Sequence, residues 1–393
     1  MPDFSRLNPF SPFLRNRSVG AIGLIFLLHS LPLSTWILYI PLVKDKLQLT
    51  ESEIGIGLFC FAMGALCVMP LSSIFIRKWG DGRVTFYSAL VLYGAFILPL
   101  LAPTYVLLCM ALFIAGFFGG LMDIAMNAVA SLLESSSNQY IMSGCHGFFS
   151  LGAMLGAGLG GMLIHPQFPP ALHMACLSIL LVLGTFLLKP HFFSIKDEYV
   201  ASEKPKFTIL PLMGLAIICM IFMMSEGAIH DWSTIFMRDV KLASPQAMGL
   251  GFAAFSGSMA LGRFYGDALQ ARLRPGQIIY FGSIGAILGL FIVLNGTFGF
   301  SILGFALVGL GLSGMIPTLF RAAANQPDVS AAQGIATLSG IGYVGFLLGP
   351  VVFGFIADWY SLPTTFASIM GLLLLALGLV PLFFKTSTRK QGA

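Results

Sequence analysis

Long uninterrupted runs of apolar residues alternate with short polar connections along almost the whole chain. Each run has about the 20 residues that an α-helix needs to cross a bilayer. The period-two alternation that is typical of membrane β-strands is absent. The pattern predicts an all-α membrane protein with twelve transmembrane helices, at about 19–43, 54–76, 84–101, 104–132, 141–164, 170–188, 208–237, 247–271, 277–294, 298–322, 331–357 and 364–384.

Composition supports this class of protein. Apolar residues make up 57% of the 393 residues and charged residues only 9%, whereas about a quarter of the residues of a soluble domain are charged. The six cysteines all lie in apolar runs, and none forms a CxxC pair. We therefore expect a protein embedded in lipid, with neither structural disulfides nor a metal site and without a cofactor.

The distribution of lysine and arginine predicts the orientation. Of these 21 residues, all but four lie in the tails and in the connections that share a side with the N-terminus. Since positive charge stays on the cytoplasmic side, both termini are expected to be cytoplasmic. The first apolar run is too long for a cleavable signal and should remain as the first helix. The net charge of +5 reflects the same distribution and gives no reason to expect nucleic acid as a partner.

The two halves of the chain resemble each other. Gly55 and Gly57 recur 194 residues later as Gly249 and Gly251, and GLMDIAMNAVA recurs at the same offset as GMIPTLFRAAA. An even number of helices per repeat predicts two six-helix repeats of the same topology, with a cavity between them. The predicted order is a tail, a six-helix bundle, a cytoplasmic linker, a second bundle and a tail, at 1–18, 19–188, 189–207, 208–384 and 385–393.

Three acidic residues fall well inside apolar runs, namely Asp123, Glu226 and Asp231. Each costs about 2.5–3.5 kcal/mol at the centre of a bilayer. Such a side chain is expected to face the protein interior or a wet cavity, where it can load and release a proton. Asn127, one turn after Asp123, can orient this carboxylate or bond a substrate hydroxyl. A structural hydrogen bond between helices is the alternative for this pair.

The stretch MSEGAIHDWS (224–233) carries a second polar group. Glu226 and His230 lie one turn apart on one helix face, and a proton on either changes the charge that the other feels. Asp231 and Trp232 turn towards an adjoining face, where they can contact substrate or anchor the helix at the membrane boundary. Glu226 and His230 are thus further candidates for proton coupling.

An aromatic ring and a histidine complete the predicted cavity. Trp36 can stack on a sugar ring, and His146 brings a polar ring into the apolar stretch SGCHGFFS. Arg263 and Arg321 are expected near the cytoplasmic ends of their helices, where long side chains snorkel. This leaves no positive charge at mid-membrane, so an uncharged or cationic solute is favoured, although a cavity with protonated acids could also admit an anion.

Twelve helices in two repeats with a polar linker resemble the major facilitator superfamily, and the resemblance covers nearly the whole chain. The loop motif of this family, Gly-x-x-x-Asp-Arg-x-Gly, is degenerate in IFIRKWGDGR (74–83) and clearer in LGRFYGDALQARLRP (261–275). In the family the motif latches the cytoplasmic side. The resemblance implies a cytoplasmic gate that includes Arg77, Arg263, Asp267 and Arg272.

Two further stretches resemble the fucose permease branch. GLMDIAMNAVASLLE (120–134) is similar to its Leu-Glu-x-Ala-x-Asn stretch, with Asp123 in place of a glutamate that takes part in proton-coupled sugar uptake. SGCHGFFSLGA (143–153) is similar to its helix five, with His146 in place of a glutamine. The chain most closely resembles the MosC-type and YbjJ-type bacterial inner-membrane subgroup, although STWIL (34–38) lacks the helix-one aspartate of the branch.

The sequence as a whole predicts a proton-coupled secondary transporter for a small polar solute such as a sugar or polyol. It is expected to act as a multi-pass monomer in the bacterial inner membrane. One alternative is a proton antiporter that exports a drug or metabolite, because GAMLGAGLGG (152–161) matches the antiporter motif Gly-x-x-x-Gly-Pro-x-x-Gly-Gly except at Ala157. A membrane sensor that binds the solute without moving it is the other. No nucleophile, metal or phosphate motif rises above chance, so an enzyme is not expected.

Overall fold

A computed structural model of the chain describes most residues between the two tails. The described residues are 9–137, 139–165, 167–196, 212–270, 272–326 and 329–384. Within them, the side chains of residues 267, 268, 270, 331 and 332 are not described. The first eight residues of the predicted N-terminal tail, the predicted C-terminal tail and the linker beyond residue 196 lie outside the described residues.

Over the described residues the chain folds into long α-helices. A short helix, Ser11–Arg15, precedes them, and one turn of 3-10 helix, Lys189–His191, follows the sixth. The chain turns briefly at Phe96 within the third and at residues 313–314 within the tenth. The long helices, α1 to α12 in chain order, are Arg17–Leu47, Glu51–Trp79, Asp81–Leu101, Tyr105–Ser137, Met142–Met162, Pro170–Leu188, Met213–Asp239, Leu250–Gln270, Pro275–Asn295, Phe298–Ala324, Ala331–Trp359 and Leu362–Phe384.

Each predicted apolar run coincides with one of these helices. Ten of them are long and apolar enough to cross a membrane. The other two, α5 and α8, have 21 residues each but are less apolar. Among the described residues, extended pairing is limited to an isolated bridge between His165 and Phe168. The all-helical, multi-pass fold is therefore confirmed, whereas twelve as the number of crossings stays a prediction.

The lower hydropathy of α5 and α8 follows from their position between the halves, where they pack on each other. A Cβ at Gly152 in α5 would overlap with the carbonyl oxygen of Leu27 in α1. A Cβ at Gly249, just before α8, would lie 2.8 Å from the carbonyl oxygen of Ala157 in α5. Small residues permit such close packing of membrane helices. Because other helices cover α5 and α8, these two need less apolar surface towards lipid.

The packing of the first six helices recurs in the second six. Helix α1 packs on α5 as α7 packs on α11, and α2 packs on α4 as α8 packs on α10. Likewise, α3 packs on α4 as α9 packs on α10. The halves meet mainly along α5 with α8 and α2 with α11, and α1 also touches α7. These recurring neighbours are what the sequence offset predicts.

The crossing of α2 and α4 offers a test of this packing. A Cβ at Gly116 in α4 would overlap with the carbonyl oxygen of Phe61 in α2, so Gly116→Ala must push the helices apart. We expect this variant to melt at a lower temperature in detergent, with a cost of about 1–3 kcal/mol for overpacking. Gly371→Ala in α12 is the control, because its Cβ meets nothing within 4 Å and it brings the same gain in helix propensity. Equal melting temperatures of the two variants would contradict the close crossing.

Candidate functional site

An ion pair lies between the halves, away from the ends of its helices. The Arg263 guanidinium in α8 donates through Nη2 to Oε1 of Glu226 in α7 at 2.9 Å. Its Nη1 donates to Oγ of Ser150 in α5, in the other half, at 2.7 Å. The side chains of Arg263 and Glu226 are 17% and 20% exposed. The protein therefore does not fully cover the ion pair.

The position of Arg263 corrects the expectation that no positive charge lies at mid-membrane. Helix α8 continues to Gln270, seven residues beyond Arg263, and the side chain pairs with Glu226 instead of snorkelling to the helix end. A charged side chain inside a membrane helix normally pairs with another polar group. The expectation of an interior without positive charge was therefore wrong, and with it the argument that favoured an uncharged or cationic solute.

Two histidines border the ion pair. His230 lies one turn after Glu226 and within electrostatic range of both Glu226 and Arg263. Its ring packs on Phe252 with 4.9 Å between ring centres. His146 of α5 lies within electrostatic range of Arg263. Both histidines are half-buried. The structure thus gathers predicted residues from α5 and α7 around Arg263.

Asp123 and Asn127 form a separate polar group near the middle of α4. The Asn127 amide donates to the Asp123 carboxylate at 3.2 Å and to its backbone carbonyl at 2.8 Å, so the bond lies within one helix rather than between two. Tyr343 of α11, in the other half, lies within electrostatic range of Asp123 and is 40% exposed. Asp123 and Asn127 are half-buried. This partial exposure, far from the helix ends, shows that the protein does not fully cover Asp123 and Asn127.

A small space lies beside His230, between α1, α5, α7 and α8. The side chains around it leave no room for even a water molecule, whereas typical ligand pockets have volumes of about 300–1,000 Å³. The Ser30 and Ser34 hydroxyls that face it both donate to carbonyls of their own helix. In this conformation the space is too small for a sugar. Its lining residues are Ser30, Leu33, Ser34, Ile37, Phe149, Ala153, His230 and Phe252.

The other predicted substrate contacts lie apart from these groups. Trp36 and Trp232 are buried, and neither indole Nε1 has a hydrogen-bond partner among the described residues. The Trp232 ring packs close to Gly354 of α11. Asp231 is half-buried. Contact of these three side chains with a solute stays a prediction.

Polar links between the halves close one end of their interface, which we call the α1–α2 end because α1 ends and α2 begins there. Arg238 at the end of α7 donates to Oδ2 of Asp45 at 2.7 Å and to the Pro41 carbonyl at 2.8 Å. Ser52 of α2 donates to Asp358 of α11 at 2.5 Å. A solute cannot pass this end without breaking these links. Any access from water to Asp123 must therefore come from the opposite end.

Of the predicted cytoplasmic gate residues, Arg77, Asp267 and Arg272 lie at that opposite end, whereas Arg263 belongs to the ion pair. Arg77 and Arg272 are exposed and form no ion pair with another described residue, and the side chain of Asp267 lies outside the described residues. Here α5 and α8 are linked by Ser143, which donates to the backbone carbonyl of Arg263 at 2.7 Å. A gate formed by these residues stays a prediction.

Sequence analysis missed Ser150 and Tyr343 as members of the site. Serine and tyrosine are too common in such helices to stand out, and their importance comes from neighbours distant in sequence. Arg263 did carry a signal, because it lies eight residues inside the predicted run 247–271. The loop motif LGRFYGDALQARLRP (261–275), at the end of that run, favoured a role for Arg263 in the cytoplasmic gate instead.

Known proteins share both the sequence pattern and the fold. The chain matches the sequence profile of the Major Facilitator Superfamily over residues 22–325 and again over 212–393. An uncharacterized MFS-type transporter of Yersinia pestis is 32% identical over 355 residues, which cover 89% of this chain and 92% of that protein. Membrane protein MosC of Rhizobium meliloti is 29% identical, with 87% and 84% covered. A glucose/galactose transporter of Brucella abortus is 24% identical, with 81% and 82% covered.

A solved structure of similar fold is that of a mutant of the nucleoside transporter NupG. Its TM-score to this chain is 0.74 at 16% identity, and the match covers 93% of this chain and 100% of that one. At such low identity the likeness concerns the fold alone. The arrangement of helices described above thus recurs in a protein with a very different sequence.

Proposed function

Because the chain belongs to the major facilitator superfamily, it is a membrane transporter and not an enzyme, and we propose that it couples protons to the movement of a small sugar- or polyol-like solute. Asp123 is the proposed coupling group, with Glu226 and His230 second. One observation carries this proposal: Asp123 is a half-buried carboxylate near the middle of a helix, bonded by Asn127. Such a group can exchange a proton with one side of the membrane at a time.

The chemistry of the interior supports a hydroxylated solute. The Arg263 guanidinium donates to Ser150 and Glu226, and its remaining N–H groups can donate to a hydroxyl. Asn127 and His146 add further donors and acceptors in half-buried positions. The relative in Brucella abortus is named a glucose/galactose transporter, which favours the same class of solute.

Alternating access follows from the same arrangement. The lysine and arginine distribution supports cytoplasmic termini, so the closed α1–α2 end would face the periplasm and access from water to Asp123 would come from the cytoplasm. The bundles 19–188 and 208–384 would then rock about the central residues to open the other side. In this proposal the protein works as a monomer in the bacterial inner membrane.

Uptake into liposomes tests the proposal. A medium about one pH unit more acidic than the lumen supplies about 1.4 kcal/mol per proton, or about tenfold accumulation for one coupled proton. We expect at least one labelled solute among D-glucose, D-galactose, L-fucose, myo-inositol and D-glucuronate to accumulate, and an uncoupler to abolish this accumulation. Accumulation only with the opposite gradient would mean antiport. Binding without flux would mean a sensor, and either result would overturn the proposal.

A further inference from the structure

Arg263 is unusual among the basic residues because of its depth in a helix. Every other described lysine or arginine lies within about one helical turn of a helix end or in a connection. Arg263 lies 13 residues after the start of α8 and seven before its end. An ionisable side chain at such depth in a membrane protein marks a functional position. Proton coupling through Asp123 leaves this arginine without a role.

Arg263 forms an anion-binding site that is occupied by a side chain of the protein, the Glu226 carboxylate. A guanidinium carries five N–H donors in a planar fork that matches a carboxylate. Here Nη2 bonds one oxygen of Glu226 and Nη1 bonds Ser150. The partial exposure of both charged side chains keeps the fork accessible. A second carboxylate can replace Glu226 at the fork once Glu226 has lost its charge.

Among the described residues, no other permanent cation shares this region. Helix α7 packs on α1, α8, α10, α11 and α12, and α5 reaches the pair through Ser150. Among described residues, α10 and α12 carry no carboxyl, imidazole or phenol group, and Arg321 lies in the last turn of α10. Helices α1, α5, α7, α8 and α11 carry other carboxyl, imidazole and phenol groups away from their ends. Those among the described residues are His29, Tyr39, His146, His230, Asp231, Tyr265 and Tyr343.

We propose that the solute carries a carboxylate beside its hydroxyl groups, as a sugar acid does, and that Arg263 binds this carboxylate when Glu226 is protonated. Glu226 takes up one proton from the water-filled side and releases the fork, which then donates to the solute. Before binding, Glu226 is a carboxylate, and the proton and the solute anion are free. After binding, Glu226 is neutral and the solute anion is paired with Arg263. Charge and protons balance, and loss of the proton expels the solute. This inference rests on the proposed function and names its class of solute.

Binding of two matched sugars tests the inference. D-glucuronate and D-glucose differ only in a carboxylate in place of a hydroxymethyl group. By calorimetry on the purified full chain in detergent, we expect glucuronate to bind about 10- to 100-fold more tightly than glucose, the range of a charge-assisted hydrogen bond. Calorimetry in buffers of different ionisation enthalpy should show one proton taken up per glucuronate. Binding should weaken as the pH rises, by about tenfold per unit for that proton.

Glu226→Gln separates the proposed exchange from a structural ion pair. The amide carries no charge and takes up no proton. When glucuronate binds, the variant should therefore take up one proton fewer than wild type, and its affinity for glucuronate should depend less on pH. A single change at Arg263 would leave Glu226 unpaired, whereas the double variant Arg263→Gln/Glu226→Gln removes both charges and is easier to accommodate. We expect the double variant to fold and bind glucose but to lose the preference for glucuronate. Arg17→Gln, at an exposed arginine at the start of α1, is the matched control and should behave as wild type.

The possible results distinguish failure of this inference from failure of the proposed function. Glucose binding as tight as glucuronate binding, no binding of either, or unchanged proton uptake in Glu226→Gln would each overturn the sugar-acid assignment. If a neutral sugar still accumulates in liposomes under a proton gradient, the proposed function stands alone. If glucuronate binds as expected but no solute moves, the proposed function fails and the binding site remains.

Discussion

Asp123→Asn is expected to abolish proton-driven accumulation of a neutral sugar such as D-glucose, which has no carboxylate to exchange with Glu226 at Arg263. Under a gradient of about one pH unit, wild type should approach about tenfold accumulation, and the variant should stop at equal concentrations on both sides. Asparagine keeps the shape of the side chain and an oxygen that can accept from Asn127, but it cannot carry a proton. Exchange of labelled for unlabelled solute should continue, since exchange requires no net proton movement.

Asn127→Ala is the matched control for this substitution. It removes the amide that donates to Asp123 at 3.2 Å but keeps the carboxylate, so accumulation should persist. The measurement is labelled solute in liposomes with and without an uncoupler. Wild-type accumulation by Asp123→Asn would show that Asp123 is not the coupling group. Glu226→Gln in the same assay would then show whether coupling lies at the ion pair.

A covalent link across the α1–α2 end is expected to stop transport. Ser52 and Asp358 lie in different halves and share a hydrogen bond of 2.5 Å, so Ser52→Cys with Asp358→Cys should join under oxidation or with a short bifunctional reagent. The link holds this end shut, and alternating access requires it to open. We expect uptake to fall to the level of empty liposomes and to recover after reduction.

The control link joins two residues of the same half at the same end. Lys44 and Glu51 form an ion pair between α1 and α2, and cysteines at these positions should cross-link without arresting transport. Both pairs require a background in which the six native cysteines, all free, are replaced. Uptake by the oxidised Ser52–Asp358 pair at the rate of the reduced protein would mean that this end need not open.

Much of the fold could be predicted from the sequence because membrane helices satisfy their backbone hydrogen bonds within themselves. Each apolar run therefore became a helix regardless of its neighbours. The spacing of Gly55 and Gly249 also reflected the repeated packing, since the same small residues are needed wherever the same helix pairs cross. Asp123 and Asn127 could be placed together for an equally local reason, as four residues are about one helical turn.

The ion pair could not be predicted in this way. Arg263 and Glu226 are 37 residues apart, and Arg263 and Ser150 are 113 apart. Their meeting depends on how α5, α7 and α8 cross, and on a long side chain that can turn inward or outward. The sequence by itself thus determined the class of protein, its helices and the acids that demand a polar interior. Only the tertiary structure decided which charges meet and which end is closed, because both depend on contacts between distant helices.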